Sequence, residues 1–214
     1  MAIMAIMFSL LTLSLGGIGS SQSMSAAGSN VKDILDRART LAMSHNTYTW
    51  VGFYEQSATA ANGTAGTGTV VVSTVESMDG TQLYSVANPP PTLDPTRLAQ
   101  AYQLQEITRA HLDVLSASAV PRADVPADPY QLGDSSFNNG LSFQYPITGT
   151  PRYTFTKIIQ FNPQGDATRV GDMPATLMEI GLQPANGNVA NINSKNLISV
   201  QIAGIGGKVT LYRP

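Results

Sequence analysis

MAIMAIMFSLLTLSLGGI, residues Met1–Ile18, carries no charged side chain, and none follows until Lys32. As a helix it spans about 27 Å, slightly less than the hydrocarbon thickness of a bilayer. Ser9, Thr12 and Ser14 can bond back to helix carbonyls, while Gly16, Gly17 and Gly19 weaken the helix beyond it. Three readings compete: a secretory signal peptide, a buried core helix, and an anchor that lies in a membrane or a helical bundle. A signal peptide needs a basic start, and no Lys or Arg precedes the apolar run. The first small-residue cleavage pattern, Ser25-Ala26-Ala27, sits late. The anchor is the favoured reading, with Ile3, Ile6, Met7, Phe8, Leu10, Leu11, Leu13 and Leu15 as its membrane or assembly surface.

The next segment has helical periodicity. Val31, Ile34, Leu35, Ala38, Leu41 and Ala42 share one apolar face, expected to pack on a downstream domain. Lys32 with Asp36, and Asp33 with Arg37, are i,i+4 pairs of opposite charge on the other faces. Asn30 with Asp33 resembles a capping pair that would start a new helix; the alternative is one helix continuing from the apolar run.

After His45-Asn46 the apolar period shortens to two. Strands are expected at Thr47–Tyr54, Thr69–Val75, Gln82–Val86, Leu141–Tyr145, Arg152–Phe161, Ala175–Leu182, Leu197–Ala203 and Lys208–Tyr212. In RYTFTKIIQF, Tyr153, Phe155, Lys157, Ile159 and Phe161 fall on one side. Pro89-Pro90-Pro91 punctuates the chain, and Asp94-Pro95 is an N-cap with a first-turn proline, predicting a helix over Thr96–Leu115. The expected fold is α+β. An N-terminal helix (1–45, with 1–18 as its apolar stretch) precedes an antiparallel β-sandwich-like domain (46–214) that holds a helix and loop insertion at about 87–140.

Composition excludes several functions. The 214 residues are 43% hydrophobic, enough for one good core, and only 12% charged, about half the usual share. Twelve basic against fourteen acidic residues leave no surplus for nucleic acid. The absence of cysteine removes disulfides, thiolate metal sites and thiol nucleophiles. His45 reads as a helix-ending cation suited to the macrodipole, and His111 as belonging to the solvated face of the inserted helix, near Arg109 and Asp113. Asp124, Asp128 and Asp134 read as solvated loop acids, since their spacing fits no calcium loop. Gly204-Ile205-Gly206-Gly207-Lys208 is a hairpin turn, because Val209 occupies the Ser/Thr position of a phosphate loop. No cofactor, metal or catalytic set is expected; an enzyme working through His45 or His111 is the least favoured class.

The layout resembles the type IV pilin and pseudopilin family. Ala2-Ile3-Met4-Ala5-Ile6-Met7-Phe8 is similar to the Ala-Ile repeats of that family's apolar helix. Ala38-Arg39-Thr40-Leu41-Ala42 followed by a strand resembles the H-type minor pseudopilins. Ile158-Ile159-Gln160-Phe161-Asn162-Pro163-Gln164-Gly165 is similar to their strand and F-x-P-x-G turn. Ile202 to Pro214 resembles the closing hairpin of the Verru_Chthon cassette protein D group of prepilin-like proteins. The resemblance implies a non-catalytic subunit of a type II secretion or type IV pilus-like filament. It would be held by a single pass in the bacterial inner membrane, with its β domain in the periplasm. The implied partners are other pilin or pseudopilin subunits through the N-terminal helix, the membrane, and secreted cargo at a filament tip. The family's basic leader, cleavage glycine and early Glu have no counterpart here; Glu55 is the first Glu. The expectation is that the codons upstream encode a basic stretch, a Gly and Phe-Thr-Leu-x-Glu. The competing class is a secreted β-sandwich binding module with an atypical signal peptide. Trp50, Tyr54 and Tyr84 would then be its ligand-facing aromatics; as core residues they fit the first class.

Overall fold

The computed structural model describes residues 2–85, 92–126, 130–137, 140–169 and 173–214, with side chains from Gln22 onward. One uninterrupted helix, α1 (Ala2–His45), opens the chain. Asn30 and Asp33 therefore lie inside a helix and start none; the Lys32–Asp36 pair forms on its flank. Asn46 ends the helix with φ +50, the left-handed conformation that Asn tolerates at such positions. The Thr47 N–H then returns to the Ala42 carbonyl at 2.9 Å.

The chain next builds an antiparallel sheet from β1 (Thr49–Ser57), β2 (Gly68–Ser77), β3 (Leu98–Gln100), β4 (Gln105–Asp113), β7 (Lys157–Phe161), β8 (Ala167–Arg169), β9 (Leu177–Asn186), β10 (Val189–Ala190), β11 (Ile198–Ala203) and β12 (Val209–Tyr212). Its order is β12-β11-β9-β4-β2-β1-β7-β8, with β10 beside β9 and β3 beside β2, so β12 and β8 are open edges. A separate hairpin pairs β5 (Phe143–Tyr145) with β6 (Tyr153–Phe155). The architecture is α+β: an N-terminal helix, then antiparallel sheets.

Alternation divides the side chains between two cores. Val51, Phe53, Val70, Val72, Met178, Ile180, Val200 and Ile202 join the apolar face of α1. Trp50, Val71 and Val75 point the other way, to Phe143, Tyr153 and Phe155 of the small hairpin. Gly52 permits that stacking: a Cβ there would lie 2.6 Å from Phe143 and from Phe155, whose rings stack at 5.0 Å.

Two expectations are corrected. Thr96–Leu115 is not a helix. Asp94 does cap a turn, accepting from the Thr96 N–H at 2.9 Å, but the turn is only Pro95–Arg97. The chain continues into β3 and then β4, a central strand between β2 and β9. The Ala, Leu, Gln and Glu of this stretch favour helix locally. Burial of Ile107, Ala110 and Leu112 against the α1 core overrides them. A bulge helps: Arg109, φ +59, is the extra residue between the Thr108 and Ala110 pairings with β2. Thus the segment read as an insertion supplies strands of the sheet. Second, Arg152–Phe161 is two strands. Tyr153 and Phe155 belong to the small hairpin's core and Ile159 and Phe161 to the helix core, so the alternation does not hold one side throughout. Gln82–Ser85 forms no named strand. Val86, Pro89-Pro90-Pro91 and Asp128 lie outside the described residues.

Candidate functional site

The seat of α1 is the first candidate. Met24, Ala27, Val31, Leu35, Ala38 and Ala42 are buried in one core with the sheet. Gly28 lets the helix close on β11 and β12, since a Cβ there would meet Ile198 at 2.6 Å and Leu211 at 2.9 Å. The positions 24, 28, 31, 35, 38 and 42 alternate steps of four and three, the spacing of a narrow packing seam. Ile34 and Leu41 are half-buried at its borders. Thr49 in β1 adds one directed contact, its hydroxyl donating to the Ala38 carbonyl at 3.0 Å. Ile3, Ile6, Met7, Phe8, Leu10, Leu11, Leu13 and Leu15 are on the helical backbone of α1; their side chains lie outside the described residues. Among the described residues no helix is long and apolar enough to cross a membrane.

Near the end of α1, three separated segments meet. The turn Asn162–Asp166 is closed by the Asn162 side-chain oxygen, which accepts from the N–H groups of Gln164 (3.0 Å) and Asp166 (2.8 Å). Asp166 in turn accepts from the Gly206 N–H at 2.8 Å, and the Ala167 N–H donates to the Gly204 carbonyl at 2.7 Å. Arg39 of α1 reaches the Gly165 carbonyl at 3.4 Å. Gly165 (φ +85) and Gly207 (φ +56) both need the left-handed region, and a Cβ on Gly207 would lie 2.2 Å from the Gly165 oxygen. The Ala38-Arg39, Asn162–Gly165 and Gly204–Gly207 pieces, far apart in sequence, thus form one knot that locks helix, turn and closing hairpin.

Two polar clusters are the remaining candidates. His111 is in β4 rather than on a helix and is half-buried. Its Nδ1 lies 2.7 Å from the Glu55 carboxylate, which also accepts from the Leu112 N–H at 3.1 Å. The bond to Glu55 raises the His111 pKa above its ordinary value, against the opposing effect of burial. Lys157 donates to the carbonyls of Leu132 (2.7 Å) and Gly133 (3.2 Å), and burial pulls its pKa below the usual lysine range. These bonds tie strand ends and a loop together. The second cluster leaves no trace in the sequence pattern: the side chains of Arg122 and Glu179 are both fully buried, Arg122 Nε donates to Glu179 at 2.9 Å, and the ion pair closes to 2.8 Å at the other carboxylate oxygen. Arg122 also donates to the carbonyls of Leu115, Ser116 and Val120, and Gln201 donates to Glu179 at 3.0 Å. A lone Arg in a loop 57 residues before its partner produces no periodic signal.

The other sequence candidates have structural contacts. His45 ends α1 and faces Glu76 at 3.0 Å. Trp50 is fully buried, donating to Gln160 at 2.8 Å, and Tyr84 donates to the same oxygen at 2.7 Å. Tyr54 is half-buried, its hydroxyl on the Gly63 carbonyl. Asp134 caps Ser136, which lowers its pKa, and the Asp124 carbonyl accepts from Gln201. Among the described residues no group of three or more His, Cys, Asp or Glu is placed to hold a metal ion. Comparison with family models, with curated proteins and with solved structures finds no match to this chain.

Proposed function

We propose that this chain is a non-catalytic, minor pseudopilin-like subunit of a type II secretion or type IV pilus-like filament, held in the inner membrane before assembly. The observation that carries this reading is α1 itself. One helix runs from Ala2 to His45; among its described side chains the seam on the sheet runs from Met24 to Ala42, and the uncharged, apolar stretch 1–18 precedes them in sequence. Such a stretch satisfies its own backbone in lipid. Its Ala, Gly, Ser and Thr allow close approach to the same helix of a neighbouring subunit. The knot adds support, because it joins three of the four motif segments on which the resemblance rests. In this reading the β5–β6 hairpin stacked on the second face is the small outer layer of a sandwich-like pilin domain facing the periplasm. That domain contacts other subunits and secreted cargo.

Expression of the full chain in a bacterial host, followed by fractionation, tests this. Residues 1–18 should be retained in the inner-membrane fraction, and single cysteines at positions 3–15 should cross-link between subunits. A soluble secreted product beginning near Ala27 would overturn it in favour of a secreted binding module. Such a cut would remove Met24 (2% exposed) from the core and leave Ala27 (4% exposed) at a raw terminus.

A further inference from the structure

The connection between β9 and β11 holds aliphatic side chains out in solvent. Val189 is 69% and Ile192 80% exposed. The backbone around Ile192 is hydrogen-bonded: the Asn191 N–H donates to the Pro184 carbonyl at 2.8 Å, the Ile192 N–H to Ala190 at 3.2 Å and the Ser194 N–H to Asn191 at 3.0 Å. Three residues later comes Lys195. With Arg213 it borders a cleft against Met24 and Ser25, near the first described side chains of α1. The charged side chains that line this cleft, Lys195 and Arg213, are both basic. No Asp or Glu follows Glu179 in the chain, and no charged residue of any kind precedes Lys32. In a protein with only 12% charged residues, exposed aliphatics on the connection that leads to Lys195, and Arg213 across the cleft against Met24 of α1, match the chemistry of a bilayer surface. Aliphatic side chains enter the headgroup layer while basic ones stay with the phosphates.

We propose that the Val189–Lys195 connection, together with Arg213, is a docking surface for a bilayer carrying anionic headgroups. It seats the β domain on the membrane from which its own helix emerges. The proposal rests on the anchored-helix reading above. It adds a second, reversible contact, so the domain has a resting orientation before assembly and must lift off to join a filament. Each cation near an anionic surface contributes about 1 kcal/mol, so removing one weakens docking about five-fold.

The chain has no cysteine, so Ile192→Cys in the full-length protein takes a single environment-sensitive dye. Met78→Cys serves as the distant control, since Met78 shares a cleft with His45 at the other end of α1, about 32 Å along the helix from Met24. In vesicles of mixed phosphatidylglycerol and phosphatidylcholine, the dye at 192 should move to apolar emission and the dye at 78 should not. Lys195→Ala and Arg213→Ala should each lower the ratio of docked to undocked protein about five-fold. A chain that floats with the vesicles while the dye at 192 stays aqueous overturns the docking surface and leaves the anchor standing. An equal shift on phosphatidylcholine alone overturns the headgroup recognition. A chain that does not float overturns the anchor, and the docking surface with it.

Discussion

The seam under α1 and the Arg122 cluster hold the same sheet by opposite means. The seam is apolar and small-residued, and its strength lies in contact area along Met24, Val31, Leu35, Ala38 and Ala42. The Arg122 cluster is buried charge, and its strength lies in direction: one hydrogen bond and an ion-pair contact to Glu179, and three bonds to loop carbonyls. The difference follows from what each must hold. A helix satisfies its own backbone and needs only a complementary surface. In the loop after β4 the Ser116 carbonyl already accepts from the Ala119 N–H, while the carbonyls at 115 and 120 take their donor from Arg122. Arg, with five N–H groups in a fixed fork, supplies it.

Arg122→Ala should therefore be the most damaging single change, destabilising the fold by about 3–5 kcal/mol, because Glu179 remains buried without its partner. The shift of the urea midpoint measures it. The sharper experiment is the double change Arg122→Met with Glu179→Leu. If charge pairing is all the cluster does, the double variant regains wild-type stability. If the three carbonyls depend on the guanidinium, it recovers incompletely. On the other side of the comparison, Leu35→Ala should cost about 2–5 kcal/mol by leaving a cavity in the seam. Leu35→Met should cost less than about 1.5 kcal/mol, since an area-based contact tolerates a change of shape at constant volume. A large loss on Leu35→Met would show that the seam, too, depends on direction.

The two regions also differ in how far the sequence disclosed them. The seam follows from periodicity: Val31, Leu35, Ala38 and Ala42 repeat at helical spacing whatever they pack against. Most strands show alternation for the same reason. Long-range polar pairs have no period, so nothing near Arg122 points to Glu179. β4 is hidden for a further reason. Asp94-Pro95 is a true cap, and the residues after it favour helix. Only the sheet on either side, with room for one more strand between β2 and β9, turns the segment into β4. The helical reading of the segment misplaces His111 as well, and with it the contact to Glu55.

The knot near the end of α1 stands between the two regimes, because it combines close packing with directed bonds. Gly207→Ala tests which dominates. Its Cβ would lie 2.2 Å from the Gly165 oxygen and 3.0 Å from Arg39, at a φ that alanine disfavours. A cost of about 1–3 kcal/mol is expected, read as a lower melting temperature. Arg39→Lys should be far milder, since the 3.4 Å bond it alters is long. Equal losses would mean that the guanidinium, not the glycine geometry, holds the turn against the helix.

The smallest effect belongs to His111, and it depends on pH. Glu55 raises the pKa of the folded-state imidazole, so the folded protein binds a proton more tightly there than the unfolded chain does. The stabilisation from the charged pair is then fully present below the unfolded value of about 6.5. It is lost as pH rises through the higher folded value. The difference in stability between the wild type and His111→Gln should shrink across that window. It should not shrink for Leu35→Ala, which removes no titratable group. A His111→Gln difference that stays constant with pH would mean that the contact with Glu55 is an ordinary neutral hydrogen bond. β4 would then be tied to Glu55 by uncharged bonds, as α1 is to β1 through Thr49.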